Sequence, residues 1–236
     1  MSDSTPKSAV VIGASGGIGA ALEAALIEEG AFEVVHGLAR SRTGAQHLDL
    51  TDEASIAAAA AHIANGPPPT FVFVATGLLH DGARGPEKAL RELDPAWLAQ
   101  SFAINAIGPA IVAKHFLPII PKTGRNVFAV LSARVGSISD NRLGGWHGYR
   151  AAKAALNMLI RNIAIEEKRR NDRSIVVALH PGTVDTALSK PFQGAVQPGR
   201  LFDPERAALQ LLDVVEGLKA PDSGKLFDFE GKEVPF

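Results

Sequence analysis

The stretch SAVVIGASGGIGAALEAALIEEG (residues 8–30) decides how the chain is read. A short apolar run, SAVVIGA (8–14), leads into three glycines spaced G-x-x-x-G-x-G at Gly13, Gly17 and Gly19, and an alanine- and leucine-rich helical stretch follows (16–30). A strand, a glycine turn and a helix in immediate succession form the unit that binds a dinucleotide. Gly13 permits the tight turn, Gly17 lets the backbone approach a pyrophosphate, and Gly19 lets the helix pack close to the sheet. The free amides and the dipole of the helix N-terminus then face the phosphates. No Lys-Ser/Thr pair follows the glycines, so the loop is not a P-loop.

Beyond this unit, strand-like and helix-like segments alternate. Strands are expected at FEVVHGLAR (32–40), AQHLDL (45–50), FVFVAT (71–76), NVFAVLS (126–132), SIVVALH (174–180) and KLFDFEG (225–231). Helices are expected at 52–64, 94–120, 146–170 and 204–218, with NGPPPT (65–70) a stiff loop. The helix 94–120 is expected to deform near Gly108-Pro109, because proline lacks the amide donor. FVFVAT opens with five apolar residues, as a strand buried on both faces does. Parallel neighbours need crossover helices. The expected fold is therefore α/β: a single Rossmann-type, doubly wound parallel sheet of about seven strands with helices on both faces. No repeat, long linker or composition break suggests a second domain, so residues 1–236 are expected to form one dinucleotide-binding domain.

Composition narrows the function classes. Of the residues, 46% are hydrophobic and 21% charged, with a formal net charge of -1. That balance gives no electrostatic reason to expect nucleic acid or an anionic membrane as partner. No apolar run approaches the ~20 residues that span a bilayer. The lead-in MSDSTPKS (1–8) lacks an apolar segment, does not read as a secretory signal, and is expected to be frayed. There are no cysteines, which removes disulfides, thiolate metal sites and Cys nucleophiles and fits a cytoplasmic protein. The seven histidines show no metal-ligand spacing, so no metal is expected.

The second strand decides which dinucleotide. An acidic residue at its end bonds the ribose 2′-hydroxyl of NAD. Here the end reads LARSR, with Arg40, Ser41 and Arg42 and no acid. Arg40 and Ser41 suit a 2′-phosphate, with Ser15 in the glycine turn as a further contact, so NADP(H) is expected over NAD(H).

The remaining motifs fall in a fixed order: HLDL after the third expected strand, VATG ending the fourth, FAIN in the next helix, Ser132 ending the fifth, Y-x-x-x-K within WHGYRAAKAAL (146–156), and HPGTVDT after the sixth. This ordered set resembles the short-chain dehydrogenase/reductase family over almost the whole chain. SARVGSISDNRLGGWHGYRAAKAALNML (132–159) is similar to the branch of C-factor (C-signal) proteins and sniffer-type carbonyl reductases.

The resemblance implies NADPH-dependent reduction of a ketone or aldehyde. Tyr149, the only tyrosine, is implied as general acid, with Lys153 at i+4 lowering its pKa and bonding the nicotinamide ribose. Asn105 is implied to hold a water linking Lys153 to solvent, and Ser132 to bond the substrate oxygen. Ile18 joins the glycine loop as a cofactor contact. Asp49 is implied to contact the adenine amino group and Leu50 to flank the ring, although Asp49 equally suits a helix cap near Thr51. Pro181, Gly182, Thr183, Val184 and Thr186 approach the nicotinamide and phosphates, and 187–202 is implied as a substrate lid. Leu79, His80, Trp146 and His147 are candidate pocket walls. The family forms homodimers or homotetramers and acts on small-molecule carbonyls or alcohols.

Two departures stand out. Ala75, Thr76 and Gly77 replace the usual Asn-Ala-Gly, and Gly77 still permits close cofactor approach. Counting three back from Gly136 gives Ala133, with Ser132 one residue earlier; Ser137 and Ser139 are less favoured substitutes. A dinucleotide-binding signalling protein without turnover is the alternative from another class. Tyr149, Lys153 and Asn105 together weigh against it. A sugar-nucleotide epimerase of the extended type fits the glycine spacing less well.

Overall fold

The computed structural model describes residues 6–236, so residues 1–5 of the expected lead-in lie outside it. Strand β1 (Ser8–Ile12) is buried along its whole length and feeds helix α1 (Gly17–Glu29) through the glycine turn. There follow β2 (Val34–Leu38), α2 (Glu53–Ile63), β3 (Pro69–Val74), α3 (Pro95–Phe102), α4 (Gly108–Phe116), β4 (Val127–Leu131), α5 (His147–Arg170), β5 (Ile175–His180), β6 (Thr183–Val184), β7 (Leu201–Phe202), α6 (Pro204–Gly217), β8 (Leu226–Asp228) and β9 (Glu233–Val234). Seven strands form one sheet in the order β2-β1-β3-β4-β5-β8-β9, parallel except for β9, which runs against β8.

Alternation along the strands builds a core on each face. Val10, Ile12, Val72, Val74, Phe128 and Val130 pack on one side with residues of α2, α4 and α5. Ala9, Val11, Phe71, Phe73, Ala129 and Val177 pack on the other with α1 and α6. The chain leaves β1 outward to β2 and then returns to β3 on β1's other side. The carboxyl ends of β1 and β3 therefore flank a crevice, the place where open α/β sheets bind ligands.

One expectation is corrected and two others are made specific. The segment 45–50 is not a strand. Gly44 takes a left-handed φ of 59°, a 3-10 turn spans Gly44–Gln46, and only the bridge Ala39–His47 reaches the sheet. That turn sends Leu48 into the core and leaves Asp49 and Leu50 on the crevice. Secondly, the distortion in helix 94–120 lies before Gly108-Pro109, as a π-helical turn at Ala103–Ile107. The ring of Pro109 crowds the carbonyl of residue i−4, which is Asn105, and the extra residue relieves it. Thirdly, the helical path Pro95–Ile119 holds an 18-residue window of mean hydropathy 1.4, apolar enough by length and composition to cross a membrane. In this fold it buries Trp97, Ser101, Asn105, Val112 and Phe116 inside the molecule.

Candidate active site

On the β2 side of the crevice, a cavity of about 340 Å³ is lined by Gly13, Ser15, Arg40, Ser41, Asp49, Leu50, Ala75, Thr76 and Gly77. Gly13 sits at φ 90°, and a Cβ on Gly19 would come within 2.1 Å of the Gly13 carbonyl oxygen, so the turn admits no side chain at either place. No side chain caps α1, whose first amides have no partner within the helix. The Thr76 hydroxyl is buried without a hydrogen-bond partner. A glycine cradle, open helix amides and an unpaired hydroxyl in one crevice fit a bound dinucleotide.

The two guanidinium groups at the end of β2 part company. Arg42 pairs with Glu23 through bonds of 2.9 and 2.5 Å and donates to the Gly37 carbonyl at 2.6 Å. Arg40 stays exposed on the crevice beside Ser41. Asp49 accepts from both the amide and the hydroxyl of Thr51, at 2.8 and 2.7 Å, and these bonds hold its carboxyl below its usual range. The cap of α2 is Asp52 instead, bonded to the Ala54 amide.

A second cavity of about 380 Å³ continues past Gly17, Ile18 and Gly77 to Tyr149, Lys153, Ser132, Pro181 and Thr186. Tyr149, Lys153 and Asn157 recur at i, i+4 and i+8 on α5 and share one helix face. Lys153 is 2% exposed; its Nζ donates to the Leu131 carbonyl at 2.8 Å and lies 5.7 Å from the Tyr149 ring centre. Burial pushes the Tyr149 phenol up to about 12 and pulls Lys153 down to about 7. The expected lowering of the phenol's pKa is therefore reversed in this geometry. Desolvation dominates, and the ammonium is aimed at a strand-end carbonyl.

Ser132 follows the end of β4 and lines the same cavity as Tyr149. Ala133, beside it, offers no polar atom. A Cβ on Gly136 would stand 2.7 Å from the Lys153 Cβ. That close approach presses the 133–136 turn onto α5 and brings Ser132 to Tyr149. The Ser132 hydroxyl donates to Asn157 Oδ1 at 2.7 Å, between two buried side chains. Asn157 was not singled out in the sequence, although its polarity on the buried Tyr149–Lys153 face is the signal that marks it. Asn105 is fully buried in the π-helical turn. Its side chain accepts from the Leu78 amide at 2.9 Å and donates to the Leu78 carbonyl at 2.8 Å. It fixes the segment after β3, and its amide group is spent on that task.

Beyond Tyr149 opens a largely apolar cavity of about 600 Å³, walled by Leu79, Val135, Trp146, Leu188 and Phe192 and reached by Ser132, Val184 and His180. Trp146 stacks edge-on against Phe192 at 5.2 Å, and His80 bonds the Ala187 carbonyl at 3.0 Å. The segments 78–93 and 187–202 thus meet over the cavity. Among the described residues no cluster suits a metal ion.

Helix α5 begins without a cap of its own, behind Trp146 in the left-handed region at φ 50°. Glu87, a buried residue of loop 78–93 that the sequence did not flag, supplies the missing acceptors. Its carboxylate accepts from the Gly148 amide at 3.0 Å and its carbonyl from the Trp146 amide. Glu87→Ala is expected to cost about 1–2 kcal/mol, as loss of a cap does, and Glu87→Gln, which keeps an acceptor, less. Urea midpoints of the two variants measure it.

The family model for short chain dehydrogenase matches residues 7–196. The chain belongs to the short chain dehydrogenase family. It is accordingly an oxidoreductase of a family that binds a nicotinamide cofactor. C-signal of Myxococcus xanthus is 36% identical over 155 residues, 66% of this chain and 88% of that protein. A 1-hydroxy-2-glutathionyl-2-methyl-3-butene dehydrogenase of Rhodococcus sp. (strain AD45) is 29% identical over 185 residues, covering 78% of this chain and 76% of the relative. The structure of an NADPH-bound carbonyl reductase from chicken fatty liver superposes with a TM-score of 0.82 at 25% identity, covering 98% of this chain and 99% of that one. This short chain dehydrogenase is thus similar both to C-signal and to a carbonyl reductase, as the motifs implied.

Proposed function

We propose that this protein reduces a ketone or aldehyde with NADPH, Tyr149 delivering the proton to the carbonyl oxygen. The observation that carries the reading is the wall shared by the nucleotide crevice and the apolar cavity, where Tyr149 and Ser132 stand together. A reduced nicotinamide, when bound, supplies the hydride. Ile18, Pro181, Gly182, Val184 and Thr186 hold its end of the crevice, and the α1 amides hold the pyrophosphate. An ordinary phenol already holds its proton at neutral pH, and burial raises Tyr149 further, so the proton to be delivered is in place. The Lys153 ammonium, 5.7 Å from the ring centre, offsets part of the desolvation cost of the phenolate left after transfer, and this help fades as pH rises through about 7. Ser132 orients the carbonyl oxygen once its hydroxyl swings from Asn157. Asn105 keeps the Leu78 segment in place. The apolar cavity, with 187–202 as its lid, excludes water from the reaction. Residues 1–236 act as one domain, and exposed Ile107, Met158 and Ile165 favour pairing of copies into a homodimer or homotetramer.

Arg40 and Ser41 support NADP(H) over NAD(H), with Asp49 and Leu50 against the adenine. Arg40→Glu is expected to weaken NADPH binding by roughly tenfold or more, as loss of a charge-assisted bond does, while NADH binding changes little. Fluorescence titration of both nucleotides reads this. Tighter binding of NADH than NADPH by the unmodified protein contradicts the assignment. A signalling protein that binds the nucleotide without turnover is the second reading, favoured by the likeness to C-signal. The Tyr149–Lys153–Asn157 stripe weighs against it, because placing a lysine in the core is costly and binding alone does not require it.

A further inference from the structure

Arg150 follows Tyr149 on α5 and lines the same 600 Å³ cavity. It is half-buried, and its Nη1 reaches only the Val135 carbonyl at 3.2 Å. Its Nε is buried without a hydrogen-bond partner, and among the described residues it has no carboxylate within ion-pair distance. A guanidinium drawn out of water normally faces an anion. The other charges of the cavity do not supply one. Asp140 is taken by Arg134 at 2.7 Å, and Arg142 stands exposed at the rim with no ion pair among the described residues. His180 is neutral at ordinary pH, since burial pulls it down to about 4. Three arginines against one aspartate leave the wall cationic, while Leu79, Val135, Leu143, Trp146 and Phe192 make it otherwise apolar.

Resting on the reductase reading above, we propose that the substrate is an oxo acid: a carbonyl compound with an apolar body whose carboxylate pairs with Arg150. Arg150 is the unpaired guanidinium within the wall, with Arg142 exposed at the rim; a single fork at that depth suits a monoanion better than a phosphate dianion, and its planar geometry matches a carboxylate. The carboxylate pairs with the Nη2 edge, which makes no hydrogen bond among the described residues, and fixes which face of the carbonyl meets Tyr149. Arg142 at the mouth adds attraction during entry.

The test compares benzoylpropionate with its methyl ester, whose ketones are separated from the carboxyl group by two methylenes and react alike. With NADPH, kcat/KM is expected to favour the acid by roughly tenfold or more. Arg150→Gln should bring that ratio close to one, and Arg150→Lys should leave it between. Equal rates for acid and ester in the unmodified protein, or an unchanged ratio in Arg150→Gln, overturn the proposal. Should Arg150→Gln not fold, the Arg150→Lys ratio decides: no fall from the unmodified value overturns it. If neither compound turns over, the rates say nothing of the anion site, and the reductase reading stands or falls on a wider panel of carbonyls. Calorimetric titration of both compounds into NADPH-saturated protein then reads the anion site directly. Tighter binding of the acid upholds it, and equal binding overturns it.

Discussion

Tyr149→Phe is expected to lower carbonyl reduction by roughly 10²- to 10⁴-fold, the usual contribution of a positioned general acid. The substitution removes one oxygen from a ring that otherwise packs beside Trp146, at 6.3 Å between centres, and over Lys153. Its hydroxyl is not among the bonds that hold α5 to β4; those run from Lys153 to Leu131 and from Ser132 to Asn157. Thermal stability and NADPH affinity should therefore stay close to those of the unmodified protein. Steady-state rates, a melt and a nucleotide titration on one preparation separate the outcomes. Turnover retained in Tyr149→Phe removes Tyr149 from the chemistry. Turnover lost together with NADPH binding assigns the residue to the crevice instead.

Lys153→Met should abolish turnover and yet stabilise the protein below neutral pH. Burial lowers the Lys153 pKa from the usual 10.5 to about 7. Between those values the unfolded chain binds the proton and the folded chain does not, so stability rises with pH across that window. Lys153's contribution is complete above 10.5 and is lost as pH falls through about 7. The charged form at low pH costs on the order of 3–5 kcal/mol as an upper bound. Methionine removes that cost but leaves the Leu131 carbonyl without its donor, a loss of about 1–3 kcal/mol. At pH 6 the variant should melt several degrees higher, at about 2–4 °C per kcal/mol for a chain of this size. Near pH 10 the advantage should vanish or change sign. Tyr149 titrates only near 12 and does not intrude on the window. A difference in melting temperature that does not vary with pH contradicts the desolvated lysine.

The sheet was legible because its strands are apolar on both faces and its glycine loop has one sterically permitted use. The order of Gly13, Ser132, Tyr149 and Lys153 along the chain sufficed to bring them to one crevice. What the sequence concealed depends on long-range partners. The 45–50 segment has a strand's composition, yet Gly44 turns it, and its side chains serve the crevice. Arg40 and Arg42 look equivalent until Glu23, on the preceding helix, takes Arg42. Glu87 and Asn157 carry no motif. One is defined by an uncapped helix and the other by the hydroxyl of Ser132, and neither relation is local. The shift of Ser132 against Gly136 resolves through packing, since Gly136 answers to the stem of Lys153 rather than to the serine. The direction of the Tyr149 shift is hidden from the sequence for the same reason. Proximity to a lysine is readable from spacing, whereas the depth at which the pair lies is set by the whole fold.

The most direct test of the account is oxidation of NADPH by the purified protein in the presence of a panel of ketones and aldehydes, run in parallel with NADH. The account predicts saturable, carbonyl-dependent oxidation that is faster with NADPH than with NADH. Saturable NADPH binding without oxidation by any carbonyl of the panel would contradict it and favour the signalling reading.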